Sequence, residues 1–252
     1  MKNACFLIAA VLFVLDNPSP ASATPILFDW AFNINGVIYE SCAGDALPES
    51  FDDSGFDWDS GLGVLKIIYD PGHTGTFRIV SFFDHDMDDD TTSFYNEYGY
   101  TGGNLSSGQM WEIDEPGYVY GDIYDHTSAG LLDNTNGVTP GLESDVSLAM
   151  GWTITLRDFE YSTLSFYLTQ DPSFLADYGG FVLVQADVKT NETLYFYSTL
   201  DIHEYIPVPV PEPTSALLTS IGIAGLAAYR KRALFRFRIS GIGIIRFKTW
   251  LK

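Results

Sequence analysis

Positive charge is what this chain has least of. Between Thr24 and Val210 the only basic residues are Lys66, Arg78, Arg157 and Lys189. Of the 33 carboxylates only Asp16 and Glu212 fall outside that segment, so 31 acids face four cations, a formal charge of about −27 against −20 for the whole chain. Phosphate contacts are made by Lys and Arg, which excludes nucleic acid as a partner of this segment; an anionic lipid surface is excluded for the same reason. Such a charge repels itself unless counterions neutralise it, and outside a cell divalent cations are the ready source.

Cysteine is scarce as well. Cys5 lies in an N-terminal apolar stretch, which leaves Cys42 alone in the body of the chain and no intramolecular disulfide to staple it. A buried small hydrophobe is the first expectation for Cys42 and an intermolecular link the second; nothing electropositive nearby in sequence would activate its thiol. Catalytic signatures are also missing. There is no Gly-x-Ser-x-Gly and no phosphate-cradling glycine loop, and His73, His85, His126 and His203 show no zinc-type spacing. With 31 carboxylates an acid–base pair can always be found, so such a pair carries no information. The expectation is a protein that is not an enzyme, with a secreted polysaccharide hydrolase as an outlying alternative.

What is present first is β-structure. Aromatics make up 15% of the chain, with 15 Tyr and 18 Phe, a bias toward strands. Ile26, Phe28, Trp30, Phe32 and Ile34 alternate, and Asn35-Gly36 marks a hairpin into Val37–Tyr39. Strands are also expected at Val64–Tyr69, stopped by Asp70-Pro71-Gly72, and at Gly75–Phe83. Ser147–Leu156, Tyr161–Thr169, Gly180–Val188 and Glu192–Ile202 follow at close spacing and suggest an antiparallel meander. Asp84 to Asp145 is rich in Gly, Asp and Asn with isolated aromatics, and is expected as long structured loops with a few short strands. No internal period points to a solenoid or propeller. The fold class expected is all-β: an antiparallel β-sandwich or jelly-roll-like domain with long acidic loops.

Three acidic groups stand out. In Asp84-His85-Asp86-Met87-Asp88-Asp89-Asp90 the carboxylates at 84, 86, 88 and 90 share one face if extended, and an oxygen-rich set of this kind suits a hard cation such as Ca²⁺. An EF-hand register begun at Asp86 puts Glu97 at the twelfth position, but Thr91 stands where Gly is needed and no amphipathic helices flank it. The candidate Ca²⁺ set is therefore Asp84, Asp86, Asp88, Asp90 and Glu97, and a solvated acidic loop is the competing reading. Asp52, Asp53, Asp57 and Asp59 around Phe56 and Trp58 read as an acidic turn with two core-facing aromatics. Glu112, Asp114 and Glu115 with Asp122 and Asp125 read as a polar loop. Trp111, Tyr118 and Tyr120 are candidates for stacking on sugar rings, although most such rings end up in strand pairs.

Both ends of the chain carry address signals. Lys2, the apolar run Cys5–Leu15 and Ala21-Ser22-Ala23 make a signal peptide over residues 1–23, with Thr24 as the first mature residue. Near the other end stand Pro211-Glu212-Pro213, the uncharged run Thr214–Tyr229 and Arg230-Lys231-Arg232. At ~1.5 Å per residue that run covers about 24 Å against a ~30 Å hydrocarbon core, a minimal transmembrane helix. The basic triplet would hold its end on the cytoplasmic side. The expected organisation is a signal peptide (1–23), a β-rich ectodomain (24–206), a Pro-rich spacer (207–213), a membrane helix (214–229) and a basic cytoplasmic tail (230–252).

The order and spacing of the C-terminal block resemble the PEP-CTERM sorting tail of exported bacterial proteins. The resemblance covers about 22 residues. It implies an exosortase-type membrane enzyme as partner, a Gram-negative-type envelope, and display or release at the cell surface within an exopolysaccharide, biofilm-type matrix. In that family chains usually end soon after the basic cluster, whereas here Ala233–Lys252 adds five cations suited to an anionic leaflet.

Overall fold

The alternating residues form β1 (Ile26–Ile34), which turns through Asn35 (φ 50°) and Gly36 (φ 92°) into β2 (Val37–Glu40). Positive φ at both central residues is the hairpin geometry whose twist matches the strands, and Ile34 faces Val37 across it. The structure is a computed structural model that describes residues 24–87, 95–205 and 219–230. The chain divides into two compact units, Met1–Tyr205 and Ile206–Lys252.

Within the first unit follow β3 (Phe51–Asp57), β4 (Leu62–Tyr69), β5 (Gly75–Asp86), β6 (Glu97–Gly102), β7 (Gln109–Asp114) and the short helix α1 (Ile123–Ala129). Then come β8 (Ser147–Leu156), β9 (Glu160–Thr169), a 3₁₀ turn at Pro172–Ala176, β10 (Val182–Asp187) and β11 (Thr193–Glu204). Ladders between these strands are antiparallel and make two sheets, β2-β1-β5-β8-β7 and β3-β4-β9-β11-β10-β6. The all-β expectation holds.

One apolar core joins the sheets. Phe32, Phe83 and Leu148 of the first pack with Leu65, Phe166, Leu183 and Phe196 of the second. Phe83 meets Phe196 edge-on at 5.4 Å, the offset that ring quadrupoles favour. Each such buried side chain contributes about 1.5–3 kcal/mol. The outer face of the first sheet is covered too: Val80, Phe82, Met110 and Ala149 pack beneath Ile123 of α1. Strand β5 is therefore buried on both faces, and its apolar run does not alternate.

The expected meander is corrected. Strands β8 and β9 are neighbours in sequence but lie in different sheets: β8 pairs with β5 and β7, β9 with β4 and β11. At Phe159 (φ 69°) the chain arches from one sheet to the other instead of doubling back. Strand β11 then inserts between β9 and β10. Two further elements differ from the sequence pattern. Strand β3 runs through Asp52-Asp53-Ser54-Gly55, a stretch of turn-like composition, because β4 supplies its hydrogen-bond partners past an irregularity between Asp52 and Gly55. Helix α1 is one such element inside the expected loop region.

In the second unit residues 219–230 are helical and exposed. Among the described residues no helix is long and apolar enough to cross a membrane. The expected span begins outside the described residues, as do Pro211, Glu212, Pro213, Lys231 and Arg232; Arg230 closes the described helix.

Candidate metal centre

Period-two alternation decides where the acidic run of β5 points. Val80 and Phe82 face outward under α1, so Asp84 and Asp86 continue that face beyond the apolar patch. In register, Asp84 lies opposite Asp29 of β1 and Ser147 of β8, and Asp86 opposite Ile26. Asp145, just before β8, completes the group. A cavity of about 320 Å³ opens there, lined by Asp84, Asp86 and Asp145 with Ile26, Phe28 and Tyr118. Phe28 and Tyr118 are largely exposed at its edge.

The electrostatics are one-sided. Asp84 is 4% exposed and its Oδ1 accepts a hydrogen bond from Ser147 Oγ at 2.8 Å. Burial, then Asp145, with smaller effects from Asp29 and Asp86, pushes its carboxyl up to about 8 against the opposing Ser147 bond. Asp145 is pushed up to about 6 by burial, then by Asp86 and Glu115. Glu97, 1% exposed, is held well above the usual carboxylate range, chiefly by burial. It accepts from the Met87 amide at 3.0 Å and from Gln185 Nε2 at 2.6 Å, and Asp145 and Asp86 add repulsion. Asp29 is well supplied with donors: Ser41 Oγ, Tyr118 Oη and, at 2.8 Å, the Trp30 amide. Burial and the bond to Asp29 push the Tyr118 phenol far above its ordinary range.

The charges that act on Asp84, those of Asp145, Asp29 and Asp86, are all carboxylates. A dication bound among these oxygens would reverse the sign of that interaction and return the carboxyls to their ionised form. Hard oxygen donors on a partly open cavity suit Ca²⁺.

Of the sequence-derived set, Asp84, Asp86 and Glu97 are electrostatically coupled through Asp145; Asp88 and Asp90 lie outside the described residues. Strands β5 and β6, not helices, flank the segment, in keeping with its failure as an EF-hand. Asp145 was missed. It sits in an ordinary Glu-Ser-Asp stretch, and only the β5–β8 pairing brings it to Asp84.

The sugar-stacking candidates separate. Tyr118 lines the cavity, Tyr120 is exposed, and Trp111 packs on Phe181 at 5.4 Å against the core. A different aromatic surface lies on the second sheet, where Tyr167 and Tyr197 stack at 4.6 Å and 2° and Phe174 stacks on Tyr197 at 4.4 Å. Its signal was the Tyr195/Tyr197 alternation in β11, which needed the partner strand to become a patch. In the second acidic group Phe56 is buried and Trp58 packs on it, while Asp52, Asp53 and Asp57 bond to Ser54, Trp58 and Ser60. Cys42 is exposed, which corrects the buried reading. Its thiol is pushed up by desolvation and then by Glu40 and Asp29, the opposite of an activated nucleophile.

These features define an acidic two-sheet β-domain with a carboxylate pocket at one end of the first sheet. No known protein family, curated protein or solved structure matches the chain.

Proposed function

We propose that this chain is an exported, non-catalytic surface or matrix protein whose β-sandwich, jelly-roll-like ectodomain is stabilised by Ca²⁺ at Asp84, Asp86 and Asp145. Glu97 supports the pocket from beneath, and Asp88 and Asp90 belong to the same acidic run. The observation that carries the reading is the buried Asp84 carboxyl, surrounded by Asp145, Asp29 and Asp86. Burying like charges together is costly unless a cation is bound, so the fold gains stability by taking one. Delivery rests on the sequence: the signal peptide, and the Pro-Glu-Pro block with its apolar run and Arg230-Lys231-Arg232, read as an exosortase-processed membrane helix.

Thermal unfolding of the full chain, with Ca²⁺ and then with excess chelator, tests the pocket. A ligand that binds only the folded state adds about 2.7 kcal/mol at a hundredfold excess over Kd, a visible rise in Tm. The rise should be specific to Ca²⁺ over Mg²⁺ and be lost in Asp84→Asn/Asp145→Asn. An unchanged Tm would remove calcium from the reading and leave the acids as solubilising surface.

A second reading, Ca²⁺-assisted carbohydrate binding, draws on the exposed rings of Phe28 and Tyr118 beside the carboxylates and on the stacked Tyr167–Tyr197 surface. Sugar rings have apolar faces that such rings can cover. Glycan-array binding that needs Ca²⁺ and is lost on Tyr118→Ala would favour it; binding lost on Tyr167→Ala alone would assign it to the second sheet.

A further inference from the structure

A separate cluster lies where α1 crosses β7. Asp122 and His126 stand one turn apart, and Glu112 rises from β7 beneath them. His126 Nδ1 is 2.9 and 3.0 Å from the two Glu112 carboxylate oxygens and 3.5 Å from Asp122 Oδ1. One donor atom from each of the three residues falls within 4.8 Å of the others. The sequence concealed this set, because its histidine has no second histidine at ligand spacing and its Glu comes from another element.

We propose that Glu112, Asp122 and His126 form a binding site for a divalent transition-metal ion of the zinc class, distinct from the calcium pocket. The donor set decides the class: an imidazole nitrogen with two carboxylates suits Zn²⁺ and its neighbours, whereas Ca²⁺ and Mg²⁺ take oxygen alone. The spacing agrees. Bonds of about 2.0–2.1 Å to a tetrahedral ion put ligand atoms about 3.3–3.4 Å apart, and the observed separations of Nδ1 from the carboxylate oxygens, 2.9 to 3.5 Å, straddle that edge.

Three further observations mark the set as more than an ion pair. Glu112 is 1% exposed, and the Asp133 amide donates to its Oε2 at 3.3 Å, an outer bond that orients the carboxylate as metal ligands are oriented. Asp122 directly precedes α1, where an aspartate ordinarily accepts from the helix amides, yet its side chain makes no capping bond and turns to His126 instead. The carboxylates around His126 are Glu112, Asp122 and Asp133, so a dication on a neutral imidazole would offset more of their charge than a protonated imidazole does. The His126 side chain is 31% exposed and Asp122 more so, which gives the ion an entry path and a coordination position open to water. Bound there, the ion would clamp α1 to the sheet whose outer apolar face that helix covers.

The test uses the full chain stripped with chelator and titrated with Zn²⁺ by calorimetry and with Co²⁺ by visible absorption. One equivalent of Co²⁺ should give the intense absorption of a four-coordinate ion. Asp122→Asn and His126→Gln should each weaken binding at least about tenfold, while Asp84→Asn/Asp145→Asn leaves it unchanged. Asp122 is exposed, so its variant reports on the site even if a Glu112 variant does not fold. Absence of the four-coordinate spectrum, or Zn²⁺ affinity untouched by Asp122→Asn and His126→Gln, would overturn the assignment. Loss of binding only in the Asp84/Asp145 variant would place the ion in the calcium pocket and overturn it equally.

Discussion

Gln185 of β10 donates to Glu97 of β6 at 2.6 Å, and the same Nε2 donates to the His85 carbonyl at 2.9 Å. This one amide thus ties the end of β5 in the first sheet to β6 in the second, directly beneath the acidic pocket. Glu97 is held well above the usual carboxylate range, chiefly by burial, and both of its oxygens accept: one from the Met87 amide at 3.0 Å, the other from Gln185 Nε2. Glu97→Gln keeps the size but turns an amide nitrogen, which cannot accept, toward one of those two donors, and should cost about 1–2 kcal/mol. Glu97→Leu strands the Met87 amide and the Gln185 donor and should cost about 2–4 kcal/mol, read by urea denaturation. Equal losses in the two variants would show that the second acceptor contributes nothing to stability.

The pocket also sets a pH dependence. Between about pH 4 and 8 folded Asp84 keeps a proton that the unfolded chain has lost, so rising pH destabilises the fold by up to about 1.4 kcal/mol per unit. His85 opposes this lower in the range. Burial pushes it down to about 4, so the unfolded chain takes the extra proton below about pH 6.5 and stability there rises with pH. The two effects partly cancel below pH 6.5 and leave a net fall from about 6.5 to 8. Metal-free Tm should drop over that window, and saturating Ca²⁺ should flatten the slope. A level metal-free profile there would contradict the raised Asp84 carboxyl.

Backbone close approach makes Gly63 irreplaceable in the β3–β4 hairpin. At φ +123° an added Cβ would stand 2.1 Å from the Gly55 carbonyl oxygen, which cannot move without breaking the ladder. Gly63→Ala should cost about 3 kcal/mol or more. Gly36→Ala, at positive φ but facing open space, should cost only about 1–2 kcal/mol. Thermal unfolding of the pair gives the ranking, and similar losses would show that strain alone governs both.

Trp111 and Tyr120 should part company. Trp111 packs on Phe181 and the core, so Trp111→Ala should lower stability by about 2–4 kcal/mol. Tyr120 is 66% exposed, and Tyr120→Ala should stay within about 0.5 kcal/mol. Any loss of glycan binding in a Trp111 variant must therefore be judged on protein shown to be folded.

Strand identity was legible because strands obey local rules. The Asn35-Gly36 turn could be read directly, and Ser147–Leu156 matches β8 end to end. Partner choice was not legible. The short link from Leu156 to Glu160 looks like a hairpin loop, but both flanking strands have apolar sides to bury, and that requirement is met by crossing between sheets. Strand β3 was hidden for a related reason: its Asp and Gly residues have low strand preference, and the neighbouring ladder outweighs it.

By composition and order alone, the chain determined its charge, the single cysteine between Thr24 and Val210 and its strand-rich character. These are properties of residue type and spacing along a line. Tertiary structure alone decided which acids share a pocket and which side chains surround a histidine. Asp145 reaches Asp84 through the β5–β8 register, and Glu112 reaches His126 because α1 covers an apolar sheet face. Both sites depend on contacts between residues distant in sequence, and burial of apolar surface, not any local motif, holds those contacts in place.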